Sequence, residues 1–112
     1  MGTITSGVDF DTIAREWRMK WSPANDKKSL ASVQQTLVLF SKTLKSIPGV
    51  KSVQRVVCGG CMDFKVIVAL DAAQFGAWEQ KNFSPEEDFL RSVKAIDGVT
   101  AVETQTYTLE NL

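Results

Sequence analysis

LKSIPGVKSVQ, Leu44 to Gln54, returns later in the chain as VKAIDGVTAVE, Val93 to Glu103. Lysine, isoleucine, glycine and two valines recur at the same offsets. Each copy reads as the last turn of an amphipathic helix, a C-capping glycine, and the first residues of a strand. The glycine is required because the chain reverses through a left-handed conformation that a Cβ resists. A chain of 112 residues is one domain, and this one carries the helix-to-strand half of a unit twice.

The pattern extends outward from both copies. Leu30, Val33, Leu37, Phe40, Leu44 and Ile47 fall on one stripe of a helix, preceded by SPAND with Asp26 as its N-cap. SPEED opens a second helix: Ser84 caps, Pro85 takes the first helical position and Glu87 completes a capping box. Phe89, Val93 and Ile96 form its apolar face. EWRMKWS alternates Trp17, Met19 and Trp21 against Arg18 and Lys20, a half-buried strand. Val50 to Leu70 reads as two strands joined at Gly59-Gly60, and VTAVETQTYTL as the last strand.

The order β-α-β-β-α-β predicts an α+β, ferredoxin-like sandwich, with an antiparallel-type sheet of order 4-1-3-2 and two helices on one face. Residues 1–14 form an N-terminal arm and residues 15–112 the domain. Trp17, Trp21, Phe40, Leu44, Phe64, Val66 and Val93 are the expected core. Between Asp71 and Phe83, Phe75 and Trp78 lie three apart, so a short helix would set both on one side. Packing over an end of the core is the first reading of that piece, and a ligand lid or dimer contact the sharper one.

Thirteen basic residues balance thirteen acidic ones, which argues against nucleic acid as a partner. The absence of histidine removes the commonest metal ligand and general base, so neither metal nor cofactor is expected, and an enzyme less than a binding domain. The opening MGTITSGVDFDTIA lacks the basic start and apolar run of a secretory signal, and LVLF and VIVAL are too short to span a bilayer. The expectation is a cytoplasmic protein, not bound to membrane, whose cysteines are free thiols by default.

Those cysteines sit in RVVCGGCMDF, Arg55 to Phe64. With Gly59-Gly60 as a two-residue turn, Cys58 faces Cys61, Val57 faces Met62 and Val53 faces Val66. Val53, Val57, Met62, Phe64, Val66 and Val68 then share the helix-covered face, while Ser52, Gln54, Val56, Cys58, Cys61, Asp63, Lys65 and Ile67 take the open one. The pair lies at a hairpin tip rather than at a helix N-terminus, where thiolates are stabilised, and zinc would lack two ligands. A turn is the first reading, with Cys58 and Cys61 as redox candidates. Arg18, Lys20, Asp63, Lys65 and Tyr107 on the open face, with Phe75 and Trp78, are candidate binding residues.

MKWSPANDKKSLASVQ, the glycine hairpin followed by FKVIVALD, and FLRSVKAIDGVTAVETQTYTL resemble the nucleotide-exchange domain of elongation factor 1B. The likeness spans most of residues 17–109 and implies the same ferredoxin-like fold, with guanine-nucleotide exchange on an elongation-factor GTPase as the activity. Gly59 and Gly60 correspond to the family's hairpin glycines, while its C-terminal lysine has no counterpart in YTLENL. The closing strand is also similar in pattern to ligand-sensing domains of the leucine-responsive regulator type. No GxSxG, HExxH or phosphate-cradling loop is present. The leading expectation is therefore a non-enzymatic binding or assembly domain that meets a protein partner, or itself as a homodimer, through the open sheet face. Nucleotide exchange and a redox-sensitive hairpin are the alternatives.

Overall fold

The computed structural model describes residues 2–112. A short hairpin of β1 (Gly2–Thr5) and β2 (Val8–Phe10) comes first. It is followed by β3 (Thr12–Lys20), α1 (Ala24–Lys45), β4 (Val50–Val57), β5 (Asp63–Asp71), α2 (Ala72–Glu79), α3 (Glu86–Lys94) and β6 (Thr100–Leu109). The long strands form one antiparallel sheet in the order β4-β5-β3-β6. Numbered along the chain, that is the 4-1-3-2 order read from the other edge, so the ferredoxin-like architecture holds. A third helix, α2, joins the two expected ones in the 71–83 segment.

Periodicity explains the layers. β3 and the residue after it turn Trp17, Met19 and Trp21 inward, each at most 5% exposed, and β5 adds the fully buried Phe64, Val66, Val68 and Leu70. Val33, Leu37, Leu44 and Ile47 of the α1 stripe and its following turn are buried against them, with Leu30 and Phe40 half-buried at its edges. Phe89 of α3 stacks on Trp17 at 5.0 Å and meets Phe40 in a T-shaped contact at 5.6 Å. Each such side chain contributes roughly 1.5–3 kcal/mol by leaving water.

The helix entries differ from expectation. Asn25, Asp26 and Lys27 have φ of 55°, 59° and 61°, so Asp26 lies in a left-handed turn and caps nothing. The entry is held by Ser29 instead: its Oγ accepts from the Ser22 amide at 2.9 Å and donates to the Ser22 carbonyl at 3.2 Å. The α3 capping box is also absent. The helix starts after Pro85, the Ser84 carbonyl accepts the Trp78 indole N–H at 2.9 Å, and Glu87 pairs with Arg91 at 2.9 Å.

The repeated stretches form matching turns. Val50 N–H donates to the Ile47 carbonyl at 3.1 Å and Val99 N–H to that of Ile96 at 3.2 Å, with Gly49 and Gly98 at φ +84° and +93°. Proline or aspartate followed by a positive-φ glycine is the type II pattern. The glycines thus sit inside β-turns beyond the helix ends, not at the C-caps expected. Gly49 carries a second constraint, since a Cβ there would collide with the side chain of Gln74.

The β4–β5 connection is longer than the predicted two-residue turn. Val57 pairs with Phe64 and Val53 with Val68, leaving Cys58–Met62 as the loop, closed by Cys58 N–H to the Asp63 carbonyl at 3.0 Å. The register has slipped by two residues, and an even slip keeps the paired strand side chains on their predicted faces. Its cause is the third strand: the Trp21 amide donates to the Met62 carbonyl at 3.0 Å and the Trp21 indole to that of Asp63 at 3.2 Å. Of the segment expected as an arm, residues 2–10 form the hairpin and residues 12–14 already belong to β3.

Candidate functional site

Arg15 shares the parity of Trp17 and therefore projects beneath the helices, the one charged residue on the inward row of β3. It is not left unpaired. Its Nε donates to Glu86 Oε1 at 2.7 Å and one terminal nitrogen to Oε2 at 3.3 Å, while the other donates to Thr106 Oγ1 at 2.8 Å. The Trp17 indole adds a bond to Glu86 Oε1 at 2.7 Å. Both charged side chains are only 15% exposed, so their pairing offsets a substantial desolvation cost. Glu86, which opens α3, is thus turned into the sheet rather than toward solvent.

The Phe83 ring covers the Arg15 guanidinium at 4.2 Å and meets Trp78 edge-on at 5.1 Å. Phe75 closes the group, 5.8 Å from Trp78 and 5.7 Å from Phe83. With its N–H bound to the Ser84 carbonyl, Trp78 is buried, only 4% exposed. Beside it lies a cleft of about 530 Å³ between the end of α1 and α2. Ile47, Pro48, Ala77 and Trp78 make it apolar; Thr43, Ser46, Gln74 and Ser84 supply polar groups, and Lys42 and Lys81 stand at its rim. Its size and mixture of surfaces are those of a small-molecule site.

The open face has a different character. Arg18 pairs with Glu103 at 3.0 Å and Lys20 with Asp63 at 2.6 Å. The Lys20 hydrogen bond holds the Asp63 carboxyl below its usual range. Glu16, 5% exposed, accepts from the Tyr107 hydroxyl at 3.1 Å. Burial, reinforced by the Glu16 charge, pushes the Tyr107 phenol up to about 12. These charges are spent on one another, leaving Lys65 as the member of the set without an ion pair among the described residues. A shallow depression of about 220 Å³ lies between Arg18, Lys20, Asp63 and Glu103.

The structure therefore divides the residues singled out by sequence. Arg18, Lys20, Asp63, Lys65 and Tyr107 gather on the open face, whereas Phe75 and Trp78 lie on the far side of the sheet, both in the core, with Trp78 also bordering the cleft. Cys58 and Cys61 are at the hairpin tip, not as free thiols but as a disulfide with Cα atoms 5.6 Å apart. Lys20 holds that tip through the Cys61 carbonyl at 2.8 Å. Arg15, Glu86, Gln74, Lys42 and Lys81 were not anticipated. Arg15 had a readable signal, its parity with Trp17; the others come together only in the fold. Among the described residues no three His, Cys, Asp or Glu side chains converge as a metal site, and no helix is long and apolar enough to cross a membrane.

No family model matches the chain, and no curated protein matches it in sequence. Solved structures do. A Deinococcus radiodurans protein provisionally named an antibiotic biosynthesis monooxygenase superposes with a TM-score of 0.67 at 15% identity, covering 89% of this chain and 94% of that one. A mutant of SnoaB, a cofactor-independent oxygenase of Streptomyces nogalater, gives 0.61 at 14%, covering 91% and 96%. A monooxygenase of Streptomyces coelicolor, in complex with the ligand Nanaomycin D, gives 0.61 at 10%, covering 92% and 90%. At such identities the likeness shows the shared ferredoxin-like fold. It runs against the expectation of a non-enzymatic binding or assembly domain and gives no support to nucleotide exchange: the neighbours whose names state an activity are oxygenases.

Proposed function

We propose that the chain is an oxygenase acting on a planar aromatic substrate seated in the cleft between α1 and α2, without a bound cofactor. The observation that carries this reading is the cleft of about 530 Å³ with Ile47, Pro48, Ala77 and Trp78 as its apolar lining, in a fold whose neighbours include a cofactor-independent oxygenase and a monooxygenase with a ligand bound. Such a lining favours a flat aromatic ring by the apolar area it takes out of water, roughly 25 cal/mol per Å².

An oxygenase without a cofactor must draw every electron from its substrate. A methylene flanked by aromatic rings meets that demand. Loss of a proton gives a carbanion, transfer of one electron to oxygen and recombination give a C–O bond, and protonation gives a hydroperoxide. Loss of water then leaves a carbonyl. One oxygen atom enters the product, the other leaves as water, and the two C–H bonds supply all four electrons. The protein's share is to hold the ring, exclude water from one face and stabilise the anion.

Oxygen uptake with a panel of polycyclic phenols carrying such a methylene tests the reading. Turnover is expected with one labelled atom in the product under oxygen-18 gas. Ala77→Trp, which narrows the cleft from an exposed position, should lower the rate about tenfold or more, equivalent to ~1.4 kcal/mol of transition-state stabilisation. No uptake across the panel, or an unchanged rate in the variant, would sink the proposal.

We further propose that a second copy covers the open face, because Val56 is 39% exposed there beside the half-buried Ile67 and Tyr107. Sedimentation at several concentrations should give a dimer; a monomer throughout removes this part.

A further inference from the structure

The hairpin loop Cys58–Met62 carries a disulfide that is not needed to close it. Four hydrogen bonds already hold the loop. Cys58 N–H donates to the Asp63 carbonyl at 3.0 Å, and the Trp21 amide to the Met62 carbonyl at 3.0 Å. The Trp21 indole donates to the Asp63 carbonyl at 3.2 Å, and Lys20 Nζ to the Cys61 carbonyl at 2.8 Å. A bridge between residues three apart also removes less unfolded-state entropy than one that closes a long loop. The bond is a poor staple. What the tip offers is access: Cys61 is exposed, Cys58 is half-buried, and a Cβ placed on Gly59 or Gly60 would meet no atom within 4 Å.

The two sulfurs are not equivalent. The Cys61 amide donates to Cys58 Sγ at 3.1 Å, a contact that strengthens when that sulfur carries negative charge. Cys61 Sγ instead has Asp63 Oδ2 3.3 Å away, an acceptor for a thiol proton and a like charge to a thiolate. Lys20 fixes that carboxylate by its other oxygen at 2.6 Å. A disulfide sulfur has no proton to give, so the acceptor beside Cys61 has a use only once the bond is open. Each sulfur already faces the partner that its reduced form requires, Cys58 as thiolate and Cys61 as thiol.

We propose that this tip is a thiol–disulfide exchange site, where a low-molecular-weight thiol attacks Cys61 and Cys58 departs as the thiolate. The electron pair of the attacking thiolate forms the new S–S bond to Cys61 Sγ, and the pair of the broken Cys58–Cys61 bond stays on Cys58 Sγ. Departure is faster from the sulfur whose thiolate is better stabilised. A second small thiolate then attacks the small-thiol sulfur of the mixed disulfide. One small disulfide leaves, and the freed Cys61 sulfur takes a proton from water and presents it to Asp63. Two electrons pass from two thiols to the protein, and the reverse sequence returns them to a small disulfide. None of the four hydrogen bonds that hold the loop involves sulfur, so the cysteines stay within reach of each other in both states. Nothing in this cycle depends on the α1–α2 cleft.

Glutathione is the probe, with the full chain quenched by an alkylating reagent and its cysteine peptide sequenced by mass spectrometry. Excess reduced glutathione should open the wild type to the dithiol without changing its circular dichroism, and oxidised glutathione should close it again. Among the quenched intermediates, glutathione should sit on Cys61 in about tenfold or greater excess over Cys58. Asp63→Asn removes the like charge beside the attacked sulfur and should speed the first attack about two- to fivefold. Cys58→Ser, loaded with glutathione on Cys61, should release it about a hundredfold more slowly than the wild type, for want of the second sulfur. A bond that stays closed in reduced glutathione, a dithiol chain that unfolds, or glutathione mainly on Cys58 would each overturn the inference, and these three readings need no substitution. An unchanged or slower first attack in Asp63→Asn, or release from Cys58→Ser as fast as from the wild type, would overturn it as well.

Discussion

β3 presents two rows of side chains, and both include a buried ionic group. On the helix side Arg15 and Glu86 are locked between Trp17, Thr106 and Phe83; on the open side Glu16 sits beneath Tyr107 with Arg18 3.9 Å away. The chemistry is alike, but the surroundings are not. On the inner side both partners are only 15% exposed, so each partner removed strands the other in a medium that solvates it poorly. On the outer side Glu16 is itself buried, but its cationic neighbour Arg18 is 44% exposed, and water screens that contact. The same charges are therefore structural commitments on one face and adjustable contacts on the other.

The largest test of this contrast is Arg15→Gln. It leaves the Glu86 carboxylate without its counter-charge and should cost about 3–5 kcal/mol in urea unfolding, the range for breaking a buried pair from one side. A loss under 1 kcal/mol would mean that the inner cluster is as well hydrated as the outer.

A smaller effect is expected at Tyr107, the only tyrosine, whose phenolate absorbance therefore reports one group. Its folded value of about 12 lies above the ordinary 10.0, so the stability it contributes is complete below pH 10 and is lost as pH rises toward 12. Glu16→Gln should move the titration midpoint downward, by removing the lesser of its causes. A midpoint near 10 in the unmodified protein would show the open face to be fully solvated around this ring.

The smallest effect belongs to Arg18→Ala. Its pair with Glu103 is exposed at both ends, and the change should alter stability by about 0–1 kcal/mol. A cost above 2 kcal/mol would erase the distinction between the faces.

Much of the fold was legible because two periodicities carry it. Trp17, Met19 and Trp21 alternate, the α1 stripe keeps its 3.6-residue spacing, and the repeated turns mark both helix-to-strand junctions. The hairpin register was not, because Cys58-Gly59-Gly60-Cys61 satisfies the local rule for a two-residue turn. The outcome was decided by Trp21, about forty residues away in sequence, through bonds that no local window contains. Glu86 was hidden for a similar reason. An acidic residue at a helix start suits the helix dipole, and only the tertiary fold reveals Arg15 and Trp17 as its partners. The cleft draws Lys42 from α1 and Lys81 from beyond α2, so its positive rim has no signature along the chain.

The N-terminal hairpin has a consequence for how the molecule breathes. The body and hairpin together extend 49 Å along one axis but only 27 Å and 18 Å along the others, and β1 pairs with β2 alone. Two strands without a third are marginal in water by themselves, so residues 2–10 should open without disturbing the sheet behind them. In deuterium exchange their amides should be replaced while those at the centre of β3 and β5 remain protected. A protease given limited time should find its first cut near Gly7, in the turn between β1 and β2.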